Sequence, residues 1–296
     1  MSGENHMKNN IIKHALNKLN IIFSKSRVIP HSGLVIPGEM LKAVKFSKKI
    51  DEHSNKSKEY SNSEILKSMM ITILCADPDF ATISETYDDP EFYCNAMKMR
   101  SIPSEPTLRQ RMDEIGDSLK YVLREITTDL FLTYGIEPSA LENGYVPIDI
   151  DVSPFIDENC SKQGIETTYK KKDGYAPIFA YIGTEGYLLA CELRSGSQHC
   201  QKGTPEFLLE VIAQARKITD KPLLIRLDSG NDAAENIILF MNKCIAGERV
   251  HFIIKRNIRK EGSEAWLNKI KDGCKNITHK REGKTEYIGE TFRDVT

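Results

Sequence analysis

The sequence predicts an α/β protein in which a mixed sheet flanked by helices follows a helical N-terminal region. Three observations carry this. Residues 61–143 place apolar residues at helical spacing between capping and turn signals. From Tyr145 the pattern changes to runs with strand periodicity. Beyond Leu193 such runs alternate with helical stretches, giving the order β-β-β-α-β-α-β up to Ile254.

Taken in order, residues 1–60 form a basic N-terminal arm with eleven Lys and Arg against five Asp and Glu. Ile11–Phe23 has the spacing of a helix, Pro30 and Leu34–Pro37 interrupt it, and Glu39–Ile50 reads as a further short helix. Two readings stand for the arm: a DNA contact, because Lys and Arg neutralise phosphates, or a solvated terminus. Residues 61–148 are acidic, with seven Lys and Arg against fifteen Asp and Glu. Ser63 is expected to cap a helix that ends at Asp77-Pro78. Ala81–Tyr87 and Pro90–Met99 read as short helices. Ser104, with Pro106 in the first turn, caps a long helix reaching about Gly135. This region is a packed helical support or contains a helix-turn-helix.

Tyr145–Ser153, YVPIDIDVS, alternates apolar and polar residues as a strand does. Asp149 and Asp151 therefore share a face, about 7 Å apart. A polar loop, Asp157–Gly174, carries Lys162, Lys170, Lys171 and Lys172. Tyr175–Ile182 and Tyr187–Leu193 form a hairpin across Gly183–Gly186. Pro205–Ile218 is a helix, Leu223–Leu227 a buried strand that delivers Asp228 to a Ser-Gly turn, and Ala233–Ile245 a helix. Val250–Ile254 is the last strand, followed at once by KRNIRK. Three antiparallel strands followed by αβαβ describe an RNase H-like core, spanning residues 144–260. In that layout the first strand neighbours the strand after the first helix, so Asp151 and Asp228 converge.

A net charge of −1 over 296 residues excludes a uniformly basic protein but not segregated basic surfaces. There is no apolar run of about 18 residues and no signal-peptide core, so no membrane span and a cytoplasmic location are expected. Seven cysteines without a CxxC point to reduced thiols rather than a disulfide framework or zinc site. His199-Cys200 is adjacent in sequence, and adjacent loop residues rarely face one atom.

Two carboxylates on strand ends of one sheet suit Mg²⁺ held over a phosphodiester, because hard cations take oxygen ligands. Asp151 and Asp228 are the candidates. Asp228 also suits a turn or cap, Asp149 lies further from the strand end, and Asp232 reads as a helix start. Lys170, Lys171, Lys172, Lys255, Arg256, Arg259 and Lys260 would hold phosphates or simply solvate loops. Tyr169 and Tyr175 suit stacking on bases, whereas Tyr181 reads as core.

The stretches PIDIDVSPF, TTYKKKDGYAPIFAYIGTEGYLLACELRSGSQHCQKGTPEFL, LLIRLDSGND and FIIKRNIR, with IPSEPTLRQRMDE upstream, resemble DDE transposases of bacterial insertion sequences. More narrowly they are similar to the branch called transposase DDE domain group 1, from about Leu34 to Arg259. The resemblance implies an RNase H-like fold, Mg²⁺ dependence with Mn²⁺ as substitute, and strand cleavage and transfer at inverted-repeat ends. It also implies double-stranded DNA as partner (transposon ends and target), a homodimer assembled on DNA, and a nucleoid-associated location. By motif the first acidic residue falls on Asp151, with Asp149 its neighbour, and the second on Asp228. In this branch the third is a glutamate on a late helix beyond a β-rich insertion. Residues 261–296 resemble only the start of that insertion, and Glu282, Glu286 and Glu290 sit on no long helix. The implied chain is truncated, two thirds of a transposase. The alternatives are an inactive remnant that only binds DNA and an RNase H-like nuclease unrelated to transposition.

Overall fold

The structure, a computed structural model, describes residues 30–52, 59–116, 119–257, 262–271 and 274–290. The chain divides into two compact units, Met1–Glu137 and Pro138–Thr296. The expected helix over Ile11–Phe23, together with Arg259 and Lys260, lies outside the described residues.

The first unit is helical. After a 3₁₀ turn at Ser32–Leu34 come α1 (Val35–Ala43), α2 (Phe46–Glu52) and α3 (Asn62–Leu74). A 3₁₀ stretch at Ala81–Asp88 precedes α4 (Pro90–Met97), α5 (Glu105–Ile115) and α6 (Lys120–Tyr134). Phe46, Ile50, Ile65, Ile71, Ile83, Met97, Leu108 and Leu119 form its core. Helices α1 and α4 pack backbone to backbone, because a Cβ on Gly38 would collide with the Ala96 carbonyl.

Several expectations are corrected here. Glu39–Ile50, expected as one short helix, is two, and the first begins earlier, at Val35, with Pro37 in its first turn, where no N–H is needed. The cap of α3 is Ser61, not Ser63. Ser61 and Glu64 form a reciprocal capping box, while Ser63 sits inside the helix and donates its N–H and hydroxyl to Asp51, at 2.9 and 2.8 Å. The single helix expected from Ser104 is two, interrupted at Gly116, a poor helix former. Ser104 does cap, and Pro106 does lie in the first turn.

In the second unit β1 (Val146–Val152) leads to three short strands, β2 (Phe155–Ile156), β3 (Glu166–Thr167) and β4 (Asp173–Tyr175). Then follow β5 (Ile178–Ile182), β6 (Tyr187–Glu192), α7 (Thr204–Ile218), β7 (Leu223–Leu227), α8 (Ala234–Ile245) and β8 (Val250–Ile254). Among the described residues five strands build a mixed sheet in the order β6-β5-β1-β7-β8. Strand β1 is antiparallel to β5 and parallel to β7, and β7 is parallel to β8. This is the mixed sheet flanked by helices that the element order predicts. Val146, Ile148, Ile150, Leu223, Ile225 and Leu227 are all buried, so the alternation in β1 and β7 fixes one core face.

The segment expected as a polar loop, 157–174, instead folds with Phe155 and Ile156 into a second antiparallel sheet, β2-β4-β3. Tyr181 is not core; it is 36% exposed and stacks on Phe179. Beyond β8 lie a helix not expected from sequence, α9 (Ser263–Lys271), and a hairpin of β9 (Cys274–Arg281) and β10 (Lys284–Gly289). Glu282 is in the hairpin turn and Glu286 pairs with Lys280 at 3.1 Å. No described helix is long and apolar enough to cross a membrane.

Candidate active site

The site is built where β1 and β7 end. Their parallel register aligns Asp149 with Arg226 and Ile150 with Leu227. Asp151 and Asp228 come next, at the same level on strands about 4.8 Å apart. Strand alternation turns both away from the face that buries Ile150 and Leu227, and both are exposed.

Each carboxylate is tethered through one oxygen. The Ser153 hydroxyl donates to Oδ2 of Asp151 at 2.9 Å. Asp228 caps the 3₁₀ turn Ser229–Asn231, its Oδ1 accepting from the Gly230 N–H at 3.1 Å and from Nδ2 of Asn231 at 2.9 Å. Asn231 is fully buried, and its own carbonyl accepts from Asn236 at 3.0 Å. The second oxygens, Oδ1 of Asp151 and Oδ2 of Asp228, accept no hydrogen bond among the described residues. The reading of Asp228 as a turn cap is therefore met by Oδ1, while Oδ2 stays open among the described residues.

Asp149 does not join them. Both its oxygens accept from Arg226, through Nε and Nη2, each at 2.5 Å. The bond to Asp149 raises the Arg226 pKa further above its ordinary value. Asp232, expected as a helix start, is instead 5% exposed and takes Nη1 of Arg256 at 2.8 Å and the Asn257 N–H at 3.1 Å. Its partner lies 24 residues away, beyond any local sequence signal. Arg256, its side chain 33% exposed, is thereby anchored to Asp232.

Beside Asp228 opens a cleft of about 530 Å³, lined by Thr167–Tyr169, Lys171 and Gly196–Cys200. The 199–201 turn is fastened to the Asp228 turn. Cys200 Sγ and Gln201 Nε2 both donate to the Gly230 carbonyl, at 2.9 and 3.1 Å. Burial, with the charge of Asp228, pushes the Cys200 thiol up, so it stays protonated as a donor. His199 Nδ1 accepts the Gln201 N–H at 3.3 Å, which leaves the ring proton on Nε2 when the ring is neutral. Under this turn lies Arg194, 3% exposed, bonded to Glu192, Thr204 and the carbonyls of Cys200 and Gly203.

Of the basic candidates, Lys170, Lys171 and Lys172 occupy the turn between β3 and β4 and are exposed. Lys172 faces Glu158 at 3.4 Å, and Lys170 lies 6.0 Å from the Tyr169 ring centroid. Lys171 and Lys255 are exposed, with no ion-pair partner among the described residues. Sequence reasoning missed Asn231, Arg226 and Arg194, whose roles depend on partners distant in the chain. Only the Asn in LDSGND offered a local hint.

The donor chemistry fits part of a divalent-metal shell: two short carboxylates on rigid strand ends, each with an open oxygen. Among the described residues there is no group of three His, Cys, Asp or Glu side chains placed to hold a metal ion.

A search of curated proteins returns no match. Among solved structures the chain is similar to the piggyBac transposase synaptic complex with hairpin DNA, at 14% identity and a TM-score of 0.34, covering 88% of this chain and 50% of that one. It is also similar to the Mos1 transposase paired-end complex with left transposon end, at 11% identity and 0.25, covering 87% and 83%. The chain thus spans half the length of the piggyBac chain. The family described as transposase DDE domain group 1 matches residues 14–287, a span that includes Asp151, Asp228 and the cleft between β3 and α7. This chain belongs to that transposase family.

Proposed function

We propose that this chain acts in Mg²⁺-dependent cleavage and transfer of DNA strands at the inverted-repeat ends of an insertion sequence. The supporting observation is the pair of aspartates on neighbouring parallel strand ends, each with one oxygen fixed and one open. The family generally uses a divalent metal. A cation at such a site supplies activation of the attacking hydroxyl and stabilisation of the leaving oxygen. Asp151 and Asp228 would hold it, oriented by Ser153, Gly230 and Asn231. Mn²⁺ would serve in place of Mg²⁺, because both accept hard oxygen ligands. Asp149 takes the separate role of fixing β1 against β7 through Arg226.

Lys170, Lys171, Lys172 and Lys255 supply exposed positive charge for the DNA backbone. Arg259 keeps its proposed place as a phosphate contact, and Arg256 shapes the loop through Asp232. The proposed partners are double-stranded transposon ends and target DNA, the assembly a homodimer on DNA, and the location the bacterial cytoplasm at the nucleoid. The family assignment favours this reading over a nuclease unrelated to transposition.

The test is Mg²⁺-dependent nicking of DNA carrying a transposon end. Asp151→Asn and Asp228→Asn are each expected to abolish it, and wild-type turnover by either variant overturns the reading. One observation favours a second reading, a chain that binds DNA without cutting it: no third metal-ligating group joins the two aspartates among the described residues. A metal-independent gel shift insensitive to Asp151→Asn, with no nicking by the wild type, would select it.

A further inference from the structure

Tyr169 stands in the turn between β3 and β4, and its side chain is 65% exposed. An exposed aromatic ring alone means little, but this turn is fastened. Thr168 is buried, and its N–H and hydroxyl both donate to the Lys172 carbonyl, at 2.9 and 2.8 Å. The Lys171 N–H donates back to the Thr168 carbonyl at 2.9 Å, and the Lys170 N–H to its hydroxyl at 3.3 Å.

The small sheet behind the turn is seated just as closely. Gly196 lies so near the Glu166 and Gly174 carbonyls that a Cβ would collide with both, and the Ser197 hydroxyl donates to Glu166. The backbone that carries the ring is thus fixed, while its hydroxyl has no hydrogen-bond partner among the described residues.

Its position joins it to the chemistry. Tyr169 lines the cleft together with Asp228 and Lys171. Burial first, and then the charges of Asp151 and Asp228, push its hydroxyl pKa up. A flat aromatic ring on a fixed turn, beside a carboxylate and a lysine, suits the flat base of a nucleotide, while the lysine suits its phosphate. The cleft, about 530 Å³, falls in the range of roughly 300–1,000 Å³ typical of pockets that enclose a small ligand. Within a duplex each base face is covered by its neighbour. A protein ring can therefore stack only on a base at an end or one that has left the stack.

We infer that Tyr169 stacks on an unpaired nucleotide adjoining the phosphodiester served by Asp151 and Asp228, with Lys171 on the neighbouring phosphate. This rests on the DNA-cleavage reading above. It makes Tyr169 a positioning residue that sets which phosphate enters the site. Because every base offers a π-face, the preference is for unpaired structure rather than for one base.

The experiment measures affinity by fluorescence anisotropy without added divalent metal, so that binding is read apart from cutting. The probes are two short synthetic duplexes, one with a single unpaired thymidine beside a nick, the other with an abasic residue there. The wild type should bind the thymidine probe roughly tenfold more tightly than the abasic one, stacking being worth about 1–3 kcal/mol per base. Tyr169→Phe should keep that preference and Tyr169→Ala should erase it by weakening only the thymidine complex. With 5-iododeoxyuridine in place of the thymidine, ultraviolet crosslinking should map to residue 169 in the wild type. Equal binding of both probes by wild type and Tyr169→Ala alike, with no crosslink there, overturns the inference and leaves the DNA reading standing. Failure of the wild type to bind either duplex overturns both.

Discussion

Glu64 in the helical unit and the Asp151–Asp228 pair in the sheet unit are carboxylates put to opposite uses. Glu64 is 4% exposed and saturated with donors. It accepts the N–H groups of Ser61 and Arg100 and two guanidinium bonds from Arg100, the shortest 2.7 Å. Burial alone would raise its pKa. The Arg100 side chain and the two backbone N–H groups outweigh that and hold it at about 2. Asp151 and Asp228 are exposed, and each keeps an oxygen that accepts no hydrogen bond among the described residues. The difference does not follow the two units, because Asp149 and Asp232 are paired with arginines a few residues from the open pair. An acid that holds structure is filled on all sides, whereas an acid available to a ligand is fixed on one side only.

The largest effect expected to break this contrast is on chemistry. Asp228→Asn should lower metal-dependent nicking by at least about a thousandfold, while its melting temperature stays near that of the wild type, since the residue is exposed. A variant that melts early but still nicks would reverse the assignment. Glu64→Gln should do the opposite and destabilise the helical unit by about 2 kcal/mol, because it removes the charge-assisted bonds to Arg100 even though a glutamine can still accept the Ser61 N–H of the capping box. Its pH behaviour sharpens the point. With a folded pKa of about 2 against an ordinary value of 4.5, Glu64 stabilises the fold fully above about pH 4.5. That contribution should fade as the pH falls from there towards 2, and denaturation curves of Glu64→Gln should lose this slope.

Smaller effects divide the sheet unit itself. Asn231→Ala removes the buried donor that orients Asp228, and should reduce nicking by about 10- to 100-fold, as loss of a ligand's supporting hydrogen bond does elsewhere. Asp149→Asn should cost at most about 1 kcal/mol, because both partners are part-exposed, 47% for Asp149 and 41% for Arg226. Nicking by that variant should stay within a few-fold of wild type. A collapse of activity comparable to that of Asp228→Asn would place Asp149 at the metal instead.

Much of this was legible where the chain repeats a simple rhythm. The alternation in β1 and the apolar run of β7 announced their strands, and the β/α order placed those strands side by side. Local capping chemistry read correctly at Ser104, but at the start of α3 two serines competed. Only the reciprocal bond to Glu64 selects Ser61, while Ser63 is claimed by Asp51, twelve residues earlier. Strands of two or three residues have no periodicity to detect, so the sheet carrying Tyr169 passed as a loop. The pairing of Asp149 with Arg226 and of Asp232 with Arg256 arises from tertiary contacts, which is why neither arginine partner could be read from the sequence.

The most direct test of the central claim is a Mn²⁺ titration followed by electron paramagnetic resonance, on the wild type and on Asp151→Asn, Asp228→Asn and Asp149→Asn. Saturable binding in the wild type and in Asp149→Asn, lost in the other two, is the expected result. Binding that survives both Asp151→Asn and Asp228→Asn, or that disappears only in Asp149→Asn, would contradict the site described above.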